Sequence, residues 1–519
     1  MTESLPRPVL GRLHSPRFEE RSLVRKAFLS LVLIAALGPA LRSATAPAPV
    51  YVTLWFDTED YLLPQDDDAT KRLADMLSRL GVPATFKIVG EKARVLERRG
   101  RSDVITALKR HDIGYHSNTH SQQPTIAVYL QNAGWEDGRA EFKRREQPGV
   151  DDIKRIFGVT PVAYGQPGSA WAPQTYPALR DMGIRVYLDE ADQVGLDDQP
   201  FYYGGMLNIF RMRSTLVRMA LSGGSSLTEG QAAFDKVHAA LTARGGGTVS
   251  IYYHPNEWVQ AEFWDAVNFR RGASPPPGEW KLPRMRPAAE TERAFADFEQ
   301  FVRFVRAKDG VRFVTATELA TLYADRALGR DFRGEDLLAI ARAVQKDFDF
   351  LKFDGYALSG ADAFALLTDA AAGVGTKNLP AAIRLSAIDG PAQTFTPSTG
   401  QLRSSSFSWD AFGSAVRDTA AYIHLHHRMP DEVWIGAENL SPVDYLATLG
   451  AVVEQFLTTG TLPAGVDRKS ARTTFERYVA DDSTKLWGWI IFPEGFHAPR
   501  LMELAKLQAW TLKPALLDR

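Results

Sequence analysis

From Val50 to about Tyr323 the chain alternates short apolar runs with amphipathic stretches, the pattern of a parallel α/β architecture. The runs that read as strands are Val50 to Phe56, Ala84 to Val89, Ile184 to Leu188, Thr248 to Tyr253 and Arg312 to Thr315. Leu73, Met76, Leu77 and Leu80 recur at helical spacing and predict a helix from Ala69 to Leu80, which Gly81-Val82-Pro83 then stops. The Pro-rich stretch Ser274 to Pro287 breaks the alternation and reads as a surface loop. Past about Leu328, strand-like runs give way to Ala- and Leu-rich helical patterns that repeat. Leu358-Ser359-Gly360-Ala361-Asp362 precedes Leu379-Pro380 at nearly the spacing by which Leu440-Ser441-Pro442-Val443-Asp444 precedes Leu462-Pro463. With a further helix-ending step at Met429-Pro430, these mark two or three small helical units, each stacked on its neighbour.

Ahead of Val50, Arg21, Arg25 and Lys26 precede an apolar run, Ala27 to Leu41, and then small residues, Ser43 to Ala48, the layout of a secretory signal. The apolar run is about 15 residues, short of the ~20 that a membrane span needs, so no integral membrane domain is expected. Arg25-Lys26-Ala27-Phe28-Leu29 also resembles a twin-arginine signal with one Arg replaced by Lys. The expected organisation is a targeting segment over 1–49, an α/β domain over 50–328 and a helical repeat domain over 329–519, in an exported protein of the periplasm, cell envelope or extracellular space.

Composition narrows the chemistry. With 61 basic and 62 acidic residues the net charge is -1, which removes a global electrostatic case for binding nucleic acid or an anionic membrane. The absence of cysteine removes disulfides, thiolate metal sites and cysteine nucleophiles together. His, Asp and Glu are left as metal ligands.

Three polar clusters follow strand-like runs, where parallel α/β folds place their chemistry. The first is Phe56-Asp57-Thr58-Glu59-Asp60, in which strand alternation puts Asp57 and Glu59 on one face and turns Asp60 elsewhere. A solvated acidic loop is the plainer reading of this cluster alone. The second, His111 to His120, packs three of the ten histidines into ten residues, and His116 and His120 are spaced to converge on one cation. His111 precedes the strand and reads as structural. The third, Ser250-Ile251-Tyr252-Tyr253-His254-Pro255, ends a strand on a histidine placed to act as acid or base.

In their order, an acidic strand end, then Ala84-Thr85-Phe86-Lys87-Ile88-Val89-Gly90, then His116-Ser117-Asn118-Thr119-His120, then strand-His254, the clusters resemble the polysaccharide deacetylase superfamily, carbohydrate esterase family four, over roughly residues 50 to 323. Asp112-Ile113-Gly114 and Phe313-Val314-Thr315-Ala316-Thr317-Glu318-Leu319 are similar to further segments of that family. The resemblance implies a distorted (β/α)7-type barrel, followed here by a mainly α-helical C-terminal domain with degenerate repeats. It also implies a divalent metal, most often zinc, and N- or O-deacetylation of a polysaccharide. Asp57 takes the catalytic-base position, His254 the general-acid position, and His116 and His120 the metal positions. Thr58 stands where many members have a metal-binding Asp, so Glu59 is the expected third ligand with Asp60 in reserve.

A second departure is larger: the family's Arg-x-Pro-Tyr motif is replaced by Gly165-Gln166-Pro167-Gly168, so the Arg that steadies the base is missing. The resemblance gives the Gly168 amide the oxyanion-facing position and makes Trp171 a candidate groove wall, both substrate-binding. Tyr187-Leu188-Asp189-Glu190 lies near the place of the Arg's usual acidic partner. Two other readings stay open, an allantoinase-like amidase and a non-catalytic envelope protein that binds glycan without hydrolysing it. The C-terminal units resemble the pseudomurein-binding repeat of cell-wall proteins, which implies a wall polymer as partner. Elsewhere, His424-Leu425-His426-His427 reads as an exposed helical cluster, Asp66-Asp67-Asp68 as a charge cap on the following helix, and Trp487-Gly488-Trp489 as core or sugar-stacking.

Overall fold

The computed structural model describes residues 48–375, 380–398 and 404–517. The basic and apolar stretches of the expected export signal lie outside these residues. Among the described residues no helix is long and apolar enough to cross a membrane.

The strands of the first region are β1 (Val50–Thr58), β2 (Thr85–Ile88), β3 (Asp112–Tyr115), β4 (Ala163–Tyr164), β5 (Val186–Asp189), β6 (Phe201–Tyr203), β7 (Met206–Phe210), β8 (Gly247–Tyr253) and β9 (Val311–Val314). They form a mostly parallel sheet in the order β6-β7-β5-β4-β3-β2-β1-β8 that curls into a half-barrel. β1 is its centre: all nine residues are buried, which is why the run reads as near-continuous apolar sequence. β8 takes one edge of β1, while β9 pairs with Val50 to Thr53 and β2 with Trp55 to Thr58 along the other. The five expected strands form within one or two residues of their sequence boundaries. The helix expected from Ala69 begins earlier, spanning Pro64–Leu80, and ends at Gly81 in a left-handed conformation (φ 64°).

That earlier start puts two of the acidic triplet in the first turn, as the charge-cap reading has them, but buried. Asp66 and Asp67 are fully buried in the first turn and pair with the buried Lys92 at 2.5 and 2.7 Å. They form an interior ion pair behind the site; only Asp68 is exposed.

The C-terminal region is a duplication. Its first unit runs β10 (Asp331–Phe332), helix Gly334–Ala343, hairpin β11–β12 (Leu351–Phe353 and Tyr356–Leu358), helix Gly360–Gly375 and β13 (Ile383–Arg384). Its second runs β14 (Ser406–Ser408), helix Trp409–His426, hairpin β15–β16 (Val433–Ile435 and Glu438–Leu440), helix Pro442–Thr459 and β17 (Gly465–Asp467). In each, the outer strands pair antiparallel, β10 with β13 and β14 with β17. Ser359 and Ser441 begin the second helices alike, each hydroxyl accepting from the amide three residues on, Asp362 and Asp444. Met429-Pro430 is therefore the helix-to-hairpin step inside the second unit, not a third copy. The units exchange partners: helix Gly334–Ala343 packs on Pro442–Thr459, and Gly360–Gly375 on Trp409–His426. His424, His426 and His427 are exposed as expected, with His424 paired to Asp369 at 3.0 Å. A last strand, β18 (Lys513–Pro514), returns to the first region and pairs antiparallel with β6. The described residues, from 48 on, cluster as one compact unit.

Candidate metal and hydrolase site

β1 delivers Asp57 and, just past its end, Glu59 to the same pocket. Asp60 turns away, as alternation requires: its Oδ1 accepts from the amides of Leu62 and Leu63 at 2.7 and 3.2 Å, and its Oδ2 accepts from Gln260. Trp264 Nε1 donates to Glu59 Oε1 at 3.0 Å, which leaves Oε2 for the histidines.

His116 and His120 sit on a tight loop after β3, where Ser117 (φ 64°) and His120 (φ 55°) both adopt the left-handed region that non-glycine residues rarely occupy. The loop is held at several points. The carbonyls of Ser117 and Asn118 accept from Gly90 and Glu91 at the start of helix Gly90–Arg98, both at 2.9 Å. The buried Glu146 accepts from the Asn118 amide at 2.7 Å and from Tyr115 Oη at 2.6 Å. Burial pushes the Glu146 carboxyl up to about 7.

Each imidazole uses Nδ1 for a protein partner. His116 Nδ1 bonds the carbonyl of Gly165 at 3.0 Å, and His120 Nδ1 bonds Ser121 Oγ at 2.7 Å. Their Nε2 atoms approach Glu59 Oε2 at 3.5 and 2.8 Å. The three donors lie within 4.8 Å of one another, and His120 Nε2 is a buried nitrogen without a hydrogen-bond partner. A metal ion fits this set: two imidazoles oriented through their far nitrogens and one carboxylate oxygen left free by its neighbour. Burial works against the Glu59 charge, but His120, His254 and His116 outweigh it and hold the carboxyl well below its ordinary value. Burial likewise holds His116 low, in the neutral form that ligates metals.

A second triad, Asp57, His116 and Asp189, also comes within 4.8 Å, but it already holds a cation. Lys87 Nζ lies 2.8 Å from Asp57 Oδ1 and 2.9 Å from Asp189 Oδ2, with its side chain fully buried. It also donates to the carbonyl of Leu188 at 2.6 Å and rests 4.2 Å over the ring of Trp55. This lysine answers the missing Arg. It stands beside Asp57 in the parallel register of β1 and β2, and two glycines clear its path across the barrel. A Cβ at Gly114 would come 2.8 Å from Lys87 Cγ, and one at Gly165 would come 1.9 Å from Nζ and 2.2 Å from Asp189 Oδ2. Burial works against the Lys87 charge, but Asp189 and Asp57 outweigh it and raise its pKa.

His254 follows β8 on the open side, its side chain 18% exposed. Its amide and Nδ1 bond Glu257 Oε1 at 2.9 and 2.8 Å, and Arg218 holds Glu257 in turn at 2.6 Å. Nε2 is thereby aimed at Asp57 and Glu59, 3.8 and 3.9 Å away. Burial works against the charged ring, yet Glu59, Glu257 and Asp57 outweigh it and raise its pKa to about 9.

The two substrate-binding expectations separate. Gly168 is exposed at the rim with φ 51°, in a place only glycine fits, because the Trp489 ring stands 2.3 Å from where its Cβ would be. Trp171 is corrected: it is fully buried, with its ring packed on Tyr176 and Tyr203, so it is core and not groove wall. Of the later tryptophans, Trp487 is also core, whereas Trp489 packs edge-on to His120 with ring centres 5.3 Å apart. Lys87, Glu257, Trp264 and Trp489 complete the site without having been expected there.

Residues 45–187 match the family model described as polysaccharide deacetylase. That span holds Asp57, Glu59, Lys87, His116 and His120 and stops just before Asp189. No curated protein matches the sequence. Among solved structures, a polysaccharide deacetylase titled putative, from Mycobacterium smegmatis, is similar at 18% identity over 53% of this chain and 93% of that one, with a TM-score of 0.35. One titled a probable polysaccharide deacetylase from Pseudomonas aeruginosa follows at 16%, over 53% and 90%, with a TM-score of 0.34. A family-four pseudoenzyme from Bacillus anthracis is similar at 11%, over 53% and 66%, with a TM-score of 0.27. The family match thus falls on the part of the half-barrel that carries Glu59, His116 and His120, and supports its likeness to the polysaccharide deacetylase superfamily.

Proposed function

We propose that the protein is a metal-dependent deacetylase that removes acetyl groups from a cell-envelope or extracellular glycan. The observation that carries this reading is the convergence of Glu59, His116 and His120 on one buried point, flanked by Asp57 and His254. A divalent ion held there, with zinc the best match to two imidazoles and a carboxylate, supplies a water pKa near about 7 and polarises an acyl carbonyl.

The chain's own residues do the rest. Asp57 is the acceptor for the attacking water's proton, and the ammonium of Lys87 at 2.8 Å holds its side chain in place beside the site. His254 Nε2 donates a proton to the departing sugar nitrogen or oxygen, since Glu257 holds Nδ1 and fixes which nitrogen faces inward. The Gly168 amide at the rim supplies the backbone donor to the developing oxyanion. The basic-then-apolar N-terminus supports an exported protein, and the duplicated C-terminal region supports a second contact with wall polymer.

The test is elemental analysis of the purified protein followed by acetate-release assays across chitooligosaccharides, peptidoglycan and acetylated exopolysaccharides. About one zinc per chain with acetate released, and turnover lost in His254→Ala while zinc is retained, is the expected result. No zinc and no acetate would leave a glycan-binding protein without hydrolysis.

A further inference from the structure

We propose that Trp489, brought in from the C-terminal region, closes one side of the site, so that the substrate is the acetylated end of a glycan or a short oligosaccharide rather than the interior of a polymer. This inference rests on the deacetylase reading and narrows it.

An enzyme that works inside a polymer needs a groove open at two ends, because the chain must enter and leave past the reacting unit. Here residues 489–491 cross one flank of the site, beside His120. Trp489 lies between two barrel loops and is tied to both: its amide donates to Ser169 Oγ at 3.2 Å and its Nε1 to Asp265 Oδ2 at 2.8 Å. The next two carbonyls are held as well, that of Ile490 by the Arg271 amide at 3.0 Å and that of Ile491 by the Gly272 amide at 2.8 Å. Ile491 is fully buried, so the crossing is anchored in the core.

The indole then stands over the rim glycine, Gly168, and against His120. Behind it Glu59, His116 and His120 are only 1–4% exposed, whereas His254, at 18%, is the accessible member of the site. A substrate reaches the metal set past His254 and meets the Trp489 wall. On this proposal a terminal sugar takes that approach, and the indole stands in the way of a chain continuing past His120.

The experiment compares kcat/KM per acetyl group, on the full-length zinc-loaded protein, for an acetylated chitotriose and for a long acetylated polymer. The wild type is expected to favour the short substrate by at least about tenfold. Trp489→Ala should bring the ratio to within about threefold by raising turnover of the polymer, and Trp489→Leu, which keeps apolar packing if the alanine variant does not fold, should fall between. A second readout needs no turnover: a chelator such as dipicolinate should strip zinc from Trp489→Ala or Trp489→Leu at least about fivefold faster than from wild type. Equal use of the two substrates by the wild type, or a ratio and stripping rate unchanged in the variants, overturns the wall while leaving the deacetylase reading intact. Zinc binding without acetate release from either substrate would instead sink the deacetylase reading, and the substrate class argued here with it.

Discussion

The site has two halves that use similar residues to opposite ends. On one side Glu59, His116 and His120 present lone pairs to a common point, with the two Nδ1 atoms turned outward to Gly165 and Ser121 and the second Glu59 oxygen accepting from Trp264. On the other side Asp57 and Asp189 also present carboxylate oxygens, but the ammonium of Lys87 already occupies the space between them. The difference teaches that a carboxylate-histidine cluster is a cation site only where the protein has not supplied its own cation. One barrel thereby sets a group that could take a removable charge a few ångströms from a permanent one.

The largest effect expected from breaking this division comes from His116→Ala, which should lower zinc affinity by at least about a hundredfold and abolish turnover, as read by equilibrium dialysis and acetate release. Asp57→Asn should keep zinc at about one per chain and lose about 10² to 10⁴ in kcat, the range of a positioned base. Lys87→Met should follow with a loss of about 10- to 100-fold in kcat with zinc retained, and a stability cost of roughly 3 kcal/mol from two carboxylates left facing each other, measured by urea unfolding. Two zinc ions bound to the wild type would end the distinction between the halves.

The smallest effect concerns the support of the metal loop. The folded-state pKa of Glu146 is raised from 4.5 to about 7, so the folded protein holds this proton more tightly than the unfolded chain. Its contribution to stability is therefore present below about pH 4.5 and lost as pH rises to about 7, on the order of 3 kcal/mol. Glu146→Gln should remove that slope, so that wild type and variant differ more at pH 8 than at pH 5 in urea melts.

Much of the lone-pair half was legible in the sequence. His116 and His120 stand four apart in a stretch crowded with histidine, and the two-residue period of a strand separates Glu59 from Asp60. The ammonium half was not, because its logic spans 102 residues from Lys87 to Asp189 and depends on two residues that lack side chains, Gly114 and Gly165. A lone lysine within the apolar run Ala84 to Val89 was the available signal. Trp487-Gly488-Trp489 stood out as core or sugar-stacking, but where Trp489 lands was not legible, since it follows from docking of a segment more than 300 residues from the His116–His120 loop. In the C-terminal region the strands are two or three residues long, too short for alternation to show, yet the repeated Ser-x-x-Asp helix starts exposed the duplication.

The strand β18 carries a consequence for how the protein matures. Residues 513 and 514 cover the outer edge of β6 across about 310 positions of intervening sequence, and the adjoining Lys513 is buried between Asp325 and Asp362 at 2.7 and 2.8 Å. A nascent chain that has emerged only as far as the repeats still shows a naked β edge, a ready template for mispairing. Half-barrel and repeat half therefore reach their finished form together, and severing them at residue 328 would yield a fragment with an uncovered, sticky edge.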